Sequence, residues 1–126
     1  KQYKQAWAKL GELNEWKLND TENSLADNLR GSILFKVKNL PKAEKYFQRA
    51  LLSSVVGSEI NSQVRLNLAT LYYKQDDPKK SWEMLGTIQP DSLYEAEKGK
   101  FHLFKFKLSK KLIAFSFRGI VKLTPT

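Results

Sequence analysis

The sequence has no cysteine and only one histidine and one methionine among its 126 residues. Without cysteine the chain can form no disulfide, and it offers neither a thiol nucleophile nor a thiolate metal ligand. A metal site would have to rest on carboxylates and on His102, and this scarcity of ligands predicts no metal and no cofactor. The lack of cysteine fits a reducing and an oxidising compartment equally well.

Long apolar runs are missing as well. The longest apolar stretch near the C-terminus, residues 112–117, is far shorter than the roughly 20 residues that a membrane-spanning helix needs. No signal peptide is visible, which favours the cytoplasm without fixing the compartment. Because the sequence starts at Lys1 rather than at a methionine, we expect a fragment of a longer protein.

The sequence offers little for catalysis. Asp76 and Asp77 belong to a predicted turn, and Glu12 and Glu15 to a solvated helix face, which are ordinary places for acidic residues. The lone His102 has no neighbouring partner for proton transfer. No glycine-rich motif of the GxGxxG or GxxxxGK type is present to cradle a phosphate. We therefore predict no catalytic residue and a protein that is not an enzyme.

Acidic residues are absent from Lys98 to the C-terminus. This segment holds eight cationic residues, whereas the preceding 97 residues hold 14 cations and all 13 acids. The net charge of +9 therefore comes almost entirely from the C-terminal segment, where phenylalanines interleave with lysines. The candidate binding cations of this segment are Lys105, Lys107, Lys110, Lys111 and Arg118.

Two segments repeat one spacing of small and large apolar residues. Gly31 precedes Ala43 by 12 positions, and Ala69 precedes Ser81 by the same interval. Two antiparallel helices approach each other closely where a small side chain faces another small one. In both segments a polar turn that ends in proline separates the two helices, which suits the first position of a helix. The pattern predicts two helical hairpins in an all-α fold.

Both hairpins resemble the tetratricopeptide repeat (TPR) family, whose 34-residue unit carries small residues at these positions. NLRGSILFKVKNLPKAEKYFQRAL is the better match and LNLATLYYKQDDPKKSWEML the next, with an offset of 38 residues between them. The resemblance implies a short right-handed solenoid of stacked hairpins with degenerate repeats. It also implies a partner-binding groove lined by Asn28, Ser32, Phe35, Lys36, Gln63, Asn67, Thr70, Tyr73 and Lys74.

The sequence divides into two parts on this interpretation. Residues 1–97 form the TPR-like repeats, which begin in mid-repeat because 2–17 fit the second helix of a preceding hairpin. Residues 98–126 form a degenerate repeat or a capping helix. The predicted helices cover 2–17, 21–37, 41–55, 59–75, 78–88 and 91–109, with Asp20, Thr21 and Glu22 capping the second and Asp91 and Ser92 the sixth.

The C-terminal segment leaves several alternatives open. A helix would place Phe101, Phe104 and Leu108 on one stripe, while the strict alternation over 104–108 favours a strand. An oligomer or partner contact and a disordered end are further alternatives. The leading functional hypothesis is a non-catalytic module that binds a protein or peptide in the groove. The alternative is charge-driven binding of nucleic acid or an anionic membrane through the basic segment.

Overall fold

The computed structural model describes residues 2–123, and it describes their side chains as far as 117, except that of Phe115. Within these residues every regular element is helical, which confirms the all-α class. Two short 3-10 turns, Leu13–Glu15 and Pro90–Ser92, connect helices. The six helices are α1 (Gln2–Glu12), α2 (Asp20–Lys36), α3 (Leu40–Ser53), α4 (Glu59–Lys74), α5 (Pro78–Leu85) and α6 (Glu95–Leu123). No described helix is long and apolar enough to cross a membrane.

The two helices of each hairpin are joined by the same tight turn. The chain ends α2 with Lys38 at φ 67° and α4 with Asp76 at φ 62°, both in the left-handed region. After Lys38, the Asn39 N–H donates to the Leu34 carbonyl at 2.9 Å, and after Asp76 the Asp77 N–H donates to the Tyr72 carbonyl at 2.9 Å. This is the hydrogen-bond pattern of a Schellman motif. Asn39 and Asp77 then cap the following helices, α3 and α5, with their side chains.

A lysine in the left-handed conformation pays a steric penalty that glycine avoids. We expect Lys38→Gly to raise the free energy of unfolding by about 1 kcal/mol, measured by urea denaturation. The matched control is Lys45→Gly, an exposed position inside α3, where glycine should lower stability by about 1 kcal/mol. If glycine lowers stability at both positions, the left-handed conformation of Lys38 carries no measurable steric penalty.

Small residues lie at the centre of both hairpins, as the repeated spacing predicts. Ala43, Ala69 and Ser81 are fully buried, and a Cβ added to Gly31 would lie 2.5 Å from an atom of the Phe47 ring. The Ser81 hydroxyl also donates to the Ala69 carbonyl at 2.6 Å, which joins α5 to α4. Close approach of the paired helices therefore depends on the small side chains. Ala43 and Phe47 share one core with Leu34, Ala50, Ile60, Val64, Leu68, Leu71 and Tyr72.

A buried carboxylate joins the first three helices. Asp27 on α2 is 4% exposed, and its Oδ1 accepts from Arg30 Nη1 at 2.9 Å. Its Oδ2 lies 3.4 Å from Arg49 Nε on α3. Arg30 Nη2 in turn donates to the Leu10 carbonyl of α1 at 3.2 Å and to the Asn14 side chain at 3.4 Å. One carboxylate thus orients two guanidinium groups and, through one of them, the end of α1.

Several helix ends differ from the predicted ones. Residues 13–15 tighten into a 3-10 turn after Glu12, so α1 does not reach 17. Asn19, rather than Asp20, caps α2, in a capping box with Glu22. Leu93 has an extended backbone and is 2% exposed. Burying that side chain places the start of α6 at Glu95 instead of residue 91.

The C-terminal segment is helical as far as Leu123. The alternation over 104–108 does not form a strand, because Phe101 and Leu108 lie on one face of α6 and bury against α4 and α5. No turn divides α6 into a hairpin, and the predicted boundary between 97 and 98 falls within the helix. Arg118 lies beyond the described side chains, and residues 124–126 lie outside the described structure.

Candidate functional site

The residues predicted to bind a partner lie on neighbouring faces of α2 and α4, where all of them except Asn28 line three adjoining clefts. The central cleft, of about 310 Å³, lies between these helices and α6. We call the three clefts together the groove. The central cleft is lined by Ser32, Phe35, Lys36, Gln63, Asn67 and Thr70 of the predicted set, and by Phe47, Glu97 and Lys100.

The two outer clefts extend the groove in different directions. One, of about 310 Å³, runs between α4 and α6 and includes Tyr73 of the predicted set, with Phe104 and Lys107 opposite. The other, of about 460 Å³, lies at the hairpin turns and includes Lys74 together with Lys38 and Leu40. Asn28 lines none of the three, but it contacts the groove through a hydrogen bond with Asn67.

A chain of side-chain amides crosses the floor of the groove. Gln63 Nε2 donates to Asn67 Oδ1 at 3.1 Å, and Asn67 Nδ2 donates to Asn28 Oδ1 at 2.8 Å. At the Gln63 end of this chain, Oε1 is buried and has no hydrogen-bond partner among the residues that the structure describes. A buried acceptor without a partner costs on the order of 1–3 kcal/mol. The groove therefore contains a polar group whose hydrogen bonding is incomplete.

Aromatic side chains provide the apolar part of the groove. Tyr73 and Phe104 meet edge to face with their ring centroids 5.5 Å apart. Lys111 Nζ lies 4.7 Å from the centroid of the Tyr73 ring, within the range of a cation–π contact. Phe35 is half-buried between the central cleft and the one at the turns. Apolar side chains of a bound ligand would find surfaces at both ends of the central cleft.

The wall formed by α6 was not predicted from the repeat. Counting TPR positions in a third unit places Leu93 and Ala96 in the groove with Glu97, yet Leu93 is buried in the core. The residues of α6 that line the groove are Glu97, Lys100, Phe104 and Lys107. Their spacing of three or four residues is that of one helix face. The sequence would predict this stripe if residues 95–123 were assigned to a single helix.

The cations of the basic segment do not share one face. Lys107 lines the groove, and Lys111 contacts Tyr73 and lies 4.0 Å from Asp76. Lys105 lies over the rings of Trp82 and Phe101 instead, and Lys110 lies over the exposed ring of Phe106. The four predicted cations whose side chains are described thus lie in at least three different environments. The side chain of the fifth, Arg118, is not among those described.

Between residues 2 and 123 no cluster of histidine and acidic residues is suited to hold a metal ion. The pKa of Tyr72, on the side of α4 toward α3, is raised above its ordinary value of 10.0 by burial and by the nearby Glu44 carboxylate. Neither this tyrosine nor its partners line the groove. What the groove offers is hydrogen bonding, aromatic contact and positive charge.

Comparisons with known proteins give no match: no family model, no curated protein and no solved structure is similar to this chain. The TPR family therefore stays a prediction from the spacing of small residues.

Proposed function

We propose that this chain is a non-catalytic protein–protein interaction module of the TPR type, which holds an extended segment of a partner protein in the groove. We also propose that α2 to α6 stack as a short right-handed solenoid. The two hairpins support this arrangement because they share one turn geometry and bury the same small positions.

The observation that carries the proposal is the unpaired acceptor of Gln63. The terminal torsion of glutamine is soft, so the Gln63 amide, which lines the cleft, can rotate to present Oε1 to a ligand as Nε2 leaves Asn67 Oδ1. A backbone N–H of a bound segment can then supply the missing hydrogen bond. The adjoining Asn67 and Asn28 amides extend this polar strip across two helices. Main-chain hydrogen bonds of this kind hold extended peptides without specifying their side chains.

The width of the groove suits a short segment. Packed helices lie 8–10 Å apart, so a path from α2 across α4 to α6 measures roughly 16–20 Å. An extended chain advances about 3.3 Å per residue, which allows about five or six residues to span the groove. Side chains that alternate along such a segment would meet aromatic rings on one side and water on the other.

Filling the groove provides the test. Thr70 lines two of the three clefts, so Thr70→Trp should occupy the space that a ligand needs. We expect peptides selected from a random displayed library against the natural chain to bind this variant at least about tenfold more weakly, a loss of about 1.4 kcal/mol, as measured by fluorescence anisotropy.

The matched control is Thr87→Trp, at an exposed position beyond α5 that lines none of these clefts. Both threonine hydroxyls bond to a carbonyl of their own segment, so the two substitutions lose a similar hydrogen bond. Circular dichroism and thermal melting of each variant report whether the fold survives. Selected peptides that bind Thr70→Trp as tightly as Thr87→Trp would place their site outside the groove.

A further inference from the structure

We infer that the segment held in the groove is acidic and carries an apolar side chain between its carboxylates. This inference rests on the proposed function and adds the chemistry of the partner. It follows from the charges that line the groove, from the one carboxylate among them, and from the position of the aromatic rings.

Five lysines and one carboxylate line the three clefts. The lysines come from three walls: Lys36 and Lys38 from α2 and the turn after it, Lys74 from the end of α4, and Lys100 and Lys107 from α6. These three walls are far apart in the sequence, so the shared charge is a property of the fold. Like charges brought together in this way favour an anionic ligand, which relieves their mutual repulsion.

Among the described residues, the one carboxylate that lines these clefts is already engaged. Glu97 Oε1 lies 3.7 Å from Lys100 Nζ, one turn further along α6. It therefore offsets part of the charge of Lys100 and leaves the other four lysines without an acid in the lining. A cationic ligand would meet four positive charges and one paired carboxylate. The groove thus selects against basic segments as well as for acidic ones.

The aromatic rings lie among these lysines. Tyr73 and Phe104 share a cleft with Lys100 and Lys107, and Phe35 shares one with Lys36 and Lys38. An apolar side chain of the ligand can contact the rings while its neighbours along the chain reach the ammonium groups. Fully anionic polymers without such side chains would leave the aromatic surface unused. A nucleic acid is the other polyanion that could use the rings, by stacking.

The experiment compares short labelled peptides that differ only in charge. The first contains glutamates on both sides of one phenylalanine, and the second has glutamine in place of every glutamate. We expect the first to bind at least about tenfold more tightly in low salt, with the difference shrinking as ionic strength rises. The double variant Lys100→Glu/Lys107→Glu should remove the preference.

The control variant is Lys45→Glu/Lys79→Glu, which makes the same change of charge at two exposed positions away from the groove. It should keep the preference for the acidic peptide. Equal binding of the two peptides would overturn the inference while leaving the proposed function in place. No binding of the acidic peptide would also overturn it, and the library selection would then decide the proposed function separately.

A short single-stranded RNA serves as the third probe. Weaker binding of this RNA than of the acidic peptide at matched salt supports a protein ligand. Tighter binding of the RNA, lost in Lys100→Glu/Lys107→Glu, would overturn the inference in favour of the charge-driven alternative. The same double variant thus distinguishes the two classes of partner.

Discussion

Replacing Asp27 by alanine is expected to lower the free energy of unfolding by about 3 kcal/mol, because it leaves a charged group without its partner in the interior. The side chain of Arg30 is 12% exposed, and its shortest polar contact is with Asp27 at 2.9 Å. Without that carboxylate the guanidinium keeps only neutral acceptors on α1 and in the turn after it. Urea denaturation followed by circular dichroism measures the loss.

Two further variants separate the buried charge from ordinary effects of substitution. Asp20→Ala removes an exposed carboxylate from the first turn of α2 and should cost no more than about 1 kcal/mol. Asp27→Leu combined with Arg30→Met replaces the buried pair by apolar groups, which should recover much of the stability. If Asp27→Ala costs no more than Asp20→Ala, water and the neutral acceptors of Arg30 compensate the buried charge.

Replacing Gly31 by alanine should lower the free energy of unfolding by about 2 kcal/mol, even though alanine is the better helix former. The new Cβ would lie 2.5 and 2.6 Å from two atoms of the Phe47 ring. Phe47 is 2% exposed, so its ring cannot move aside without disturbing the core between α2 and α3. The clash must outweigh the roughly 1 kcal/mol that alanine gains in a helix interior.

Gly99→Ala is the matched control, because nothing lies within 4 Å of a Cβ added there. At this position within α6 the substitution should raise stability by roughly 0.5–1 kcal/mol. The same change of residue is thus expected to have opposite signs at the two sites. Adding Phe47→Leu to Gly31→Ala should lessen the cost of the methyl group added at position 31. A gain of stability at both glycines would refute the close approach of α2 and α3.

The hairpins were predictable because local and long-range signals agree in them. Gly31, Ala43, Ala69 and Ser81 recur at equal spacing, and the prolines mark the turns. The residue types and their spacing in this one sequence are therefore enough to predict the buried small positions of the repeat. The predicted groove residues on α2 and α4 follow from the same register, and the structure brings all of them except Asn28 to adjoining clefts.

The third wall of the groove was harder to predict. Leu93 occupies a groove position in the repeat count, but its side chain is drawn into the core beside Leu85 and Phe101. That burial depends on the path of the turn at 90–92, which carries no repeat signature. Gln63 Oε1 is left unpaired because of the way in which the amides of Gln63, Asn67 and Asn28 bond to one another. That pairing follows from side-chain geometry, which the sequence pattern does not show.

The turn inside each hairpin tolerates inserted residues less well than the connection between the hairpins. Asn39 and Asp77 each complete the end of one helix with a backbone N–H and open the next with a side chain, so one added residue would disrupt two helices at once. The connection between the hairpins is different, because Val55 and Val56 are largely exposed and Gly57 has a φ of 86°. Inserted residues, a grafted loop or the new ends of a circular permutant belong at 55–57.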